Sequence, residues 1–488
     1  MAAVAVLTGS QIAEPNKRVL QVVAAVFIVF LAFRTRLIDA LTLCVLFIPF
    51  PKATSYGNTN VAFVLLIAIV WLFRVSTGRA QRVGRTPLDI PIVLLVMAYA
   101  ISFYNVEPEN LSVAWALFLA FLSYVFLLYM VINIVQTPED VRKILLAQAI
   151  SCAFICVIGV FEQSHPGGRL IPGWIDFSGT GESSGQGVRI GSTFLDYELF
   201  GEYCALNLVI QLFMFTRATT RTRKWLLAGL MVLTLFCMFA TVTRGPLVAL
   251  GVGLLYLGWL SRRKLNFPRL VMTVGGLVAI LAIGNTVVAR MSKSQSVFDR
   301  LFKTEFVKGV VPDSRAGAWE YAIRNISQHP IVGHGPYYSI EKGVTARYWT
   351  HNVYLYYASI VGIFGLVAFL FLLWRLWQMS RPRAPSLGSG TYIEGATVAM
   401  HVVLFMFMVD QLKIDYLRNE RYSFYVWFLL GFIAAVGQVA RKYAAEPGSL
   451  PAVLPLPGTG RRGPTPGRTP LRPAAVSERP AVLGNQRG

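Results

Sequence analysis

Three of the chain's five histidines, His329, His334 and His351, lie within 23 residues of one another. Two of them belong to a long polar segment, Arg290 to Thr350, which interrupts an otherwise apolar sequence and ends just before the third. The segment also carries Asp313, Arg315, Trp319, Arg324 and Arg347. An imidazole can take a proton from a hydroxyl group near neutral pH. We therefore predict that the chemistry of the protein takes place in this segment and at its end.

His351 and its neighbour Asn352 lie where the polar segment meets the next apolar run. His351 could act as a general base, or it could cap the start of a helix. A zinc site made from the three histidines is disfavoured, because the sequence has no HExxH motif and no carboxylate at metal-ligand spacing. We predict neither a metal ion nor a cofactor.

Arg244 lies in TVTRGP, between two apolar runs that are joined by almost no loop. This places the side chain at a membrane interface, where it either extends toward water or binds the phosphates of a lipid head group. Arg189 lies in VRIGSTF, just before another apolar run. It is open to the same two interpretations, as the flank of a span or as a phosphate contact.

Two elements must position the side chains of the polar segment. Apolar residues at helical spacing predict an amphipathic helix over Ser314–Ser327, which carries Arg315 and Trp319. The helix leads into HPIVGHGP, a tight turn that starts at His329. Its two glycines, Gly333 and Gly335, would let the backbone approach a ligand closely.

The composition is that of an all-α integral membrane protein. Hydrophobic residues make up 55% of the 488 residues, charged residues only 14%, and the mean hydropathy is +0.56. Charged residues reach about 25% in soluble globular domains, so that class is excluded. The sequence contains no Walker or Rossmann glycine motif, and the five cysteines in apolar runs suggest no disulfide framework.

We predict about 12 transmembrane helices, with 11 to 13 allowed, and one large periplasmic loop that contains short helices. Several apolar runs have the roughly 17–25 residues that cross a bilayer as a helix. The runs are Val19–Phe33, Leu37–Phe50, Val61–Phe73, Leu88–Tyr104, Leu111–Val135, Ile144–Phe161, Thr193–Phe215, Trp225–Thr241, Pro246–Leu260, Leu270–Val288, Val353–Trp374, Ala396–Val409 and Ser423–Val439.

Lysine and arginine cluster on alternate short loops, which predicts that these loops face the cytoplasm. The loop at 289–351 then faces the periplasm of a bacterial cell. Most of the net charge of +21 follows from this topology and requires no nucleic acid partner. The predicted division is a short N-terminal segment at 1–18, a membrane domain at 19–440 and a disordered, basic, Pro/Gly-rich cytoplasmic tail at 441–488.

Taken together, these elements resemble the signature of the O-antigen ligase and O-antigen polymerase superfamily of bacterial polysaccharide assembly. The resemblance extends over about 189–373, within a chain that has the helix number and single large periplasmic loop of that family. It is carried by RIGSTF around Arg189, TVTRG around Arg244, Arg315 with Trp319, His329-Pro330, Gly333-x-Gly335, and His351-Asn352 followed by nine residues and Gly362-x-x-Gly365.

The resemblance implies an inverting, metal-independent glycosyltransferase of the bacterial inner membrane, whose active site faces the periplasm and whose donor is a glycan on undecaprenyl diphosphate. Arg244 and Arg315 would hold the donor diphosphate, and His351 would be the general base. It also implies contacts with membrane lipids and with other polysaccharide-assembly proteins. The residues that would contact substrate are Arg189, Asn352, His329, Trp319, Gly333 and Gly335.

The acceptor stays open at this stage. A ligase transfers the glycan to the lipid A-core, whereas a polymerase transfers it to another lipid-linked repeat unit; the His-Asn-x9-Gly-x-x-Gly element favours the ligase. A multispanning transporter is the alternative from another class, and it predicts ionisable residues buried along a pathway. Only Asp39 and His401 stand out in mid-span, while polar residues gather at one outer face, which favours an enzyme.

Overall fold

The computed structural model describes residues 33–50, 53–54, 57–80, 84–165, 168–171, 175–176, 189–262, 286, 306–307, 311–336, 350–384 and 386–445. The first predicted span and most of the run Leu270–Val288 lie outside the described residues. So do much of the long polar segment and the tail from 446 onward.

Twelve α-helices lie wholly within the described residues, numbered here in chain order. They are α1 (Leu37–Phe47), α2 (Thr59–Ser76), α3 (Asp89–Ser102), α4 (Leu111–Ile134), α5 (Pro138–Ser164), α6 (Tyr197–Arg217), α7 (Arg221–Ala240), α8 (Gly245–Ser261), α9 (Asp313–Gln328), α10 (Val353–Met379), α11 (Tyr392–Asp410) and α12 (Glu420–Ala445).

Eight of these helices are long and apolar enough to cross a membrane, and α1, α3 and α8 are shorter apolar helices. The predicted all-α membrane class is therefore confirmed, while the total of about 12 spans stays a prediction. The predicted amphipathic helix in the polar segment is confirmed as α9. The helix α12 ends at Ala445, so it includes the first residues of the tail predicted to start at 441. A basic residue such as Lys442 is favourable at a helix C-terminus, and the division of the chain into segments stays a prediction.

Short strands form three antiparallel pairs, each with two cross-strand residue pairs. β1 (Ala53–Thr54) pairs with β2 (Gly57–Asn58), β3 (Arg169–Ile171) with β4 (Ile175–Asp176), and β5 (Phe306–Val307) with β6 (Val311–Pro312). Single turns of 3₁₀ helix occur at Phe103–Asn105, Pro108–Asn110, Ser192–Phe194 and Tyr416–Arg418. The last two lie beside the candidate site described below.

The helix α12 lies at the centre of the bundle and α7 at its edge. The share of buried residues is 94% in the apolar part of α12 but 28% in α7. Large apolar side chains such as Trp225 and Leu226 on α7 point outward, as expected of a surface that faces lipid tails. The core thus places the N-terminal ends of α6, α10 and α12 close to one another.

The turn after α9 docks its backbone on a break in α10. Gly362 has φ 69° and ψ −176°, so the helix is interrupted there and its carbonyls become available. The His334 N–H donates to Ser359 O at 3.0 Å, the Gly335 N–H donates to Ile360 O at 2.9 Å, and Ile363 N–H donates to Pro330 O at 2.8 Å. The glycines of this turn therefore permit backbone contact with α10.

Replacing Gly362 with alanine should prevent this docking. A Cβ atom there would lie 2.6 Å from the Val332 nitrogen and closer still to the Ile331 carbonyl. The backbone angles of Gly362 also lie in a region adopted almost only by glycine, where another residue costs about 1–3 kcal/mol. We expect a large loss of monodisperse protein in detergent, measured by fluorescence-detected size exclusion. Gly251→Ala on α8 is the matched control, because its Cβ would meet no atom within 4 Å; equal yields of both variants would contradict the prediction.

Candidate active site

Five segments of the chain meet at one end of the bundle. They are the turn before α6, the turn between α7 and α8, the start of α9, the start of α10 and the connection between α11 and α12. The Val353 N–H donates to Gln411 O at 3.0 Å and to Ile414 O at 3.2 Å, which joins the start of α10 to the end of α11. The sequence-predicted site residues Arg244, Arg315 and His351 are all in these segments.

Glu198, in the first turn of α6, is the centre of the arrangement. Its Oε1 accepts from Arg315 Nη2 at 3.1 Å, and its Oε2 lies 3.1 Å from His351 Nδ1. Arg418 Nη2 also donates to Oε2 at 2.8 Å. Together with Asp196, these four residues are called the carboxylate–arginine cluster here. The structure thus brings Arg315 and His351, which are 36 positions apart in the sequence, onto one carboxylate.

Arg418 is the anchor of the carboxylate–arginine cluster. Its Nε and Nη2 donate to the two carboxylate oxygens of Asp196 at 2.9 and 2.8 Å, the two-bonded geometry that suits a guanidinium. Its side chain is only 7% exposed. Burial alone would lower the pKa of Arg418, but the charges of Asp196 and Glu198 outweigh it and raise this pKa, so the guanidinium stays charged.

His351 has two competing neighbours at the same ring nitrogen. Arg418 Nη1 lies 2.8 Å from Nδ1, and Glu198 Oε2 lies 3.1 Å from it. Arginine can only donate, so Nδ1 accepts from Arg418 when it carries no proton and donates to Glu198 when it does. The two bonds exclude each other, and the choice between them decides whether Nε2 holds a proton or a lone pair.

The backbone is strained at the turns that carry the site. Among the described residues, positive φ outside glycine occurs at Ser192 (48°), Leu195 (56°), Val242 (51°) and His351 (45°). Ser192 and Leu195 lie just before Asp196, and Val242 lies two residues before Arg244. Such conformations cost about 1–3 kcal/mol each and gather at functional sites, where the surrounding structure enforces them.

Arg189 fixes the turn that carries Arg244. It is 7% exposed, and its Nε and Nη2 donate to Thr241 O and Val242 O at 3.0 and 3.3 Å. Its guanidinium also lies 3.3 Å from the ring centroid of Tyr197. These contacts place Arg189 behind Arg244, and its predicted contact with substrate stays a prediction.

A group of cations lies next to the carboxylate–arginine cluster. Lys413, in the connection after α11, is half-buried, and Arg315 Nη1 donates to its carbonyl oxygen. Burial lowers the pKa of Lys413, and the like charges of Arg315 and Arg244 lower it further, whereas Asp410 acts in the opposite direction. Among the described residues, no side chain hydrogen-bonds the Lys413 ammonium group. Three positive charges therefore converge where the sequence predicts phosphate.

Residues on either side hold His351 in place. Trp319 Nε1, on α9, donates to Thr350 O at 2.9 Å. Asn352 caps α10, because its side-chain oxygen accepts from the Tyr354 and Leu355 N–H groups at 3.0 and 3.1 Å. The helix is therefore capped by Asn352 and not by His351, which was the competing interpretation of that histidine. The predicted substrate contacts of Trp319 and Asn352 stay predictions.

Asp415 lies behind this segment, fully buried between α11 and α12. Burial raises the pKa of Asp415 to about 7, although Arg418 and the Leu417 N–H act in the opposite direction. Its Oδ1 accepts from that N–H at 3.0 Å and so holds the single 3₁₀ turn that carries Arg418.

The remaining predicted contacts lie in the turn after α9. Gly333 O accepts from Asn105 Nδ2 at 2.7 Å, and Gly335 is bonded to α10 as described above. His329 is exposed and stacks edge to face on His334, with ring centroids 4.6 Å apart. Burial lowers the pKa of His334. The structure gives this turn a role in supporting α10, and ligand binding by His329, Gly333 and Gly335 stays a prediction.

Asp196, Glu198, Arg418 and Lys413 were not among the site residues predicted from the sequence. A usable signal was present, because Lys413, Asp415, Arg418 and Arg421 lie close together between the end of α11 and the first turn of α12. Charges so close to two spans are costly unless they have partners or a ligand.

A comparison with known protein families gives a match that begins within α7 and ends within α10. Residues 229–370 match the family model described as O-antigen ligase, a region that contains Arg244, Arg315 and His351. No curated protein gives a significant match. Members of this family are glycosyltransferase-like enzymes. The match over these residues supports the O-antigen ligase and polymerase superfamily that the sequence motifs resemble.

Proposed function

We propose that this chain is a periplasmic-face glycosyltransferase of the inner membrane that moves a glycan from undecaprenyl diphosphate to a sugar hydroxyl of the lipid A-core. The family match supports the reaction class. The observation that carries the proposal is the sharing of Glu198 by Arg315 and His351, at 3.1 Å to each. A phosphate-binding candidate and a base candidate then lie side by side, as transfer from a diphosphate requires.

In the proposed reaction, the acceptor hydroxyl attacks the anomeric carbon and its proton moves to His351 Nε2. The bond between that carbon and the diphosphate oxygen breaks, and its electron pair leaves on the diphosphate, with inversion at the carbon. For Nε2 to accept a proton, Nδ1 must already carry one, and the Nδ1–H group then donates a hydrogen bond to Glu198. Glu198 is thus a positioning residue that also stabilises the imidazolium as it forms, as the carboxylate does in a Ser-His-Asp triad.

Arg244, Arg315 and Lys413 are the proposed partners of the leaving diphosphate. The charge on the diphosphate grows as the glycosidic bond breaks, and fixed cations at that place stabilise it without reorganisation. Arg315 forms an ion pair with Glu198, whereas among the described residues the Lys413 ammonium group has the electrostatic attraction of Asp410 and no hydrogen-bond partner. Lys413 is therefore proposed as a third residue that contacts the diphosphate of the glycan donor, in addition to the two arginines predicted from the sequence.

Replacing Lys413 with glutamine should reduce kcat/KM for the lipid-linked donor about 10- to 100-fold, the range expected for one lost charge-assisted hydrogen bond. The assay is transfer by purified protein with the donor varied and the acceptor saturating. Lys442→Gln, at the exposed end of α12, removes the same charge far from the site and should have no effect. Equal donor kinetics of the two variants would remove Lys413 from the donor site.

The acceptor is tested by deleting the gene and separating surface glycans and lipid-linked intermediates on gels. Loss of a ligase leaves full-length polymer on the polyprenyl carrier and uncapped core. Loss of a polymerase, the alternative within this superfamily, leaves core with one repeat unit or no exopolysaccharide. If neither pool changes, the proposed function is wrong, and a transporter becomes the better hypothesis.

A further inference from the structure

The opposite end of the bundle has a fixed connection between α10 and α11. Arg217, the last residue of α6, donates to four carbonyl oxygens of this connection. They belong to Leu387 (2.9 Å), Ser389 (2.7 Å), Gly390 (3.1 Å) and Thr391 (2.9 Å). One guanidinium with four acceptors leaves this part of the connection little freedom. The ends of α10 and α12 and the start of α11 are held together around it.

An open cleft with a cavity volume of about 220 Å³ lies at this end, and it is called the basic cleft here. The described residues that line it are Gln378, Met379, Arg381, Pro382, Arg383, Glu394, Thr397, Gly437, Ala440 and Arg441. Its floor is apolar and buried, since Met379 is 3% exposed and Ala440 is 8% exposed. Its rim carries three arginines from two different segments.

The charge of the basic cleft is not balanced by the described residues. Glu394 is its one carboxylate, and Glu394 Oε2 already accepts from the Thr391 N–H at 2.7 Å and from Thr391 Oγ1 at 3.1 Å, as the cap of α11. Among the described residues, no carboxylate lies within ion-pair distance of Arg381, Arg383 or Arg441. A compact anion is the ligand that three guanidinium groups around one concave site suit.

The positive-inside rule alone would also place arginines at this end of the helices. Two features go beyond that rule. The arginines line one concave site instead of spreading along the loops, and the site joins a guanidinium rim to an apolar floor at the ends of membrane-crossing helices. A phosphodiester with attached acyl chains matches both parts, because its phosphate would meet the rim while its apolar portion meets the floor.

We propose that the basic cleft binds a phosphate group at the end of the bundle opposite the carboxylate–arginine cluster, and that an anionic phospholipid supplies it. The site is separate from the proposed transfer reaction and does not depend on it. A soluble phosphate compound has the same recognition chemistry, and the experiment separates the two sources.

The test is native mass spectrometry of the full chain, purified in a neutral detergent and titrated with phosphatidylglycerol or with phosphatidylcholine. Wild-type protein should retain phosphatidylglycerol selectively, and the triple variant Arg381→Gln, Arg383→Gln, Arg441→Gln should bind it at least about tenfold more weakly. The control is Arg221→Gln, Arg223→Gln, Lys224→Gln, which removes three charges from the start of α7 at the same end. Thermal unfolding of both variants checks that each is folded.

Equal weakening by the two triple variants would overturn the proposal, because net charge alone would then explain lipid retention. Equal retention by wild type and the cleft variant would also overturn it. In a second arm, inorganic phosphate replaces the lipid. Stabilisation by phosphate that requires the three cleft arginines, without selective lipid retention, would keep the phosphate site but reject phospholipid as its source.

Discussion

Replacing His351 with asparagine should lower kcat for glycan transfer by about 10²–10⁴-fold, the usual contribution of a general base. Asparagine is the informative substitution, because it tolerates the positive φ of 45° found at this position better than most residues and so keeps the backbone in place. Donor binding should change little. The measurement is single-turnover transfer with purified protein and saturating donor.

A substitution of Glu198 tests the same proton transfer. Glu198→Gln should lower kcat as well, because a neutral amide stabilises a forming imidazolium less than a carboxylate does. The double variant should be no slower than His351→Asn alone, since both changes act on one proton transfer. His165→Ala is the control, because His165 is exposed and stacks on Phe161 outside the carboxylate–arginine cluster. Additive losses would contradict the joint role, and normal turnover by His351→Asn would exclude His351 as the base.

Replacing Arg418 with glutamine should destabilise the protein by about 3–5 kcal/mol, the cost of removing one partner from a buried ion pair. Asp196 and Glu198 would lose their bonds to a guanidinium whose side chain is 7% exposed. Arg418→Lys should lie between wild type and the glutamine variant, because it keeps the charge but loses the two-bonded geometry with Asp196. Thermal unfolding in detergent measures the effect.

The control for Arg418 is Arg324→Gln on α9, an exposed arginine whose removal should leave the unfolding temperature unchanged. If Arg418→Gln unfolds at the wild-type temperature, the carboxylate–arginine cluster contributes no net stability. The ion pairs would then serve only to hold Asp196, Glu198 and His351 in a fixed arrangement.

The sequence was sufficient for the membrane class and for three candidate residues of the site, because both follow from local patterns. Apolar runs separated by charged loops determine where helices cross, and helical spacing determined α9. The candidates Arg244, Arg315 and His351 were found because polar residues beside spans are costly and therefore informative.

The contacts of the site could not be read from the sequence, because they join distant segments. Glu198 and Arg418 are 220 positions apart, and the packing of both α6 and α12 against α11 brings them together beside His351. The turn at Gly333 shows the same limit in another way. Its glycines predict a close backbone approach, and the structure identifies α10 as the segment approached. Local patterns predict that a close backbone contact exists, but only the three-dimensional fold shows which segment is contacted.

The two neighbours of His351 Nδ1 have a consequence for the stability of the donor in water. While Arg418 donates to Nδ1, the imidazole keeps its proton on Nε2 and cannot deprotonate a water molecule in the site. Water can compete with the acceptor sugar in any enzyme that uses an activated diphosphate donor, and it would then release the glycan by hydrolysis. This side reaction would lack its base until the proton shifts to Nδ1, where the N–H donates a hydrogen bond to Glu198. The geometry that positions the base would also keep it inactive between turnovers, and the amount of free glycan released without acceptor measures how well it does so.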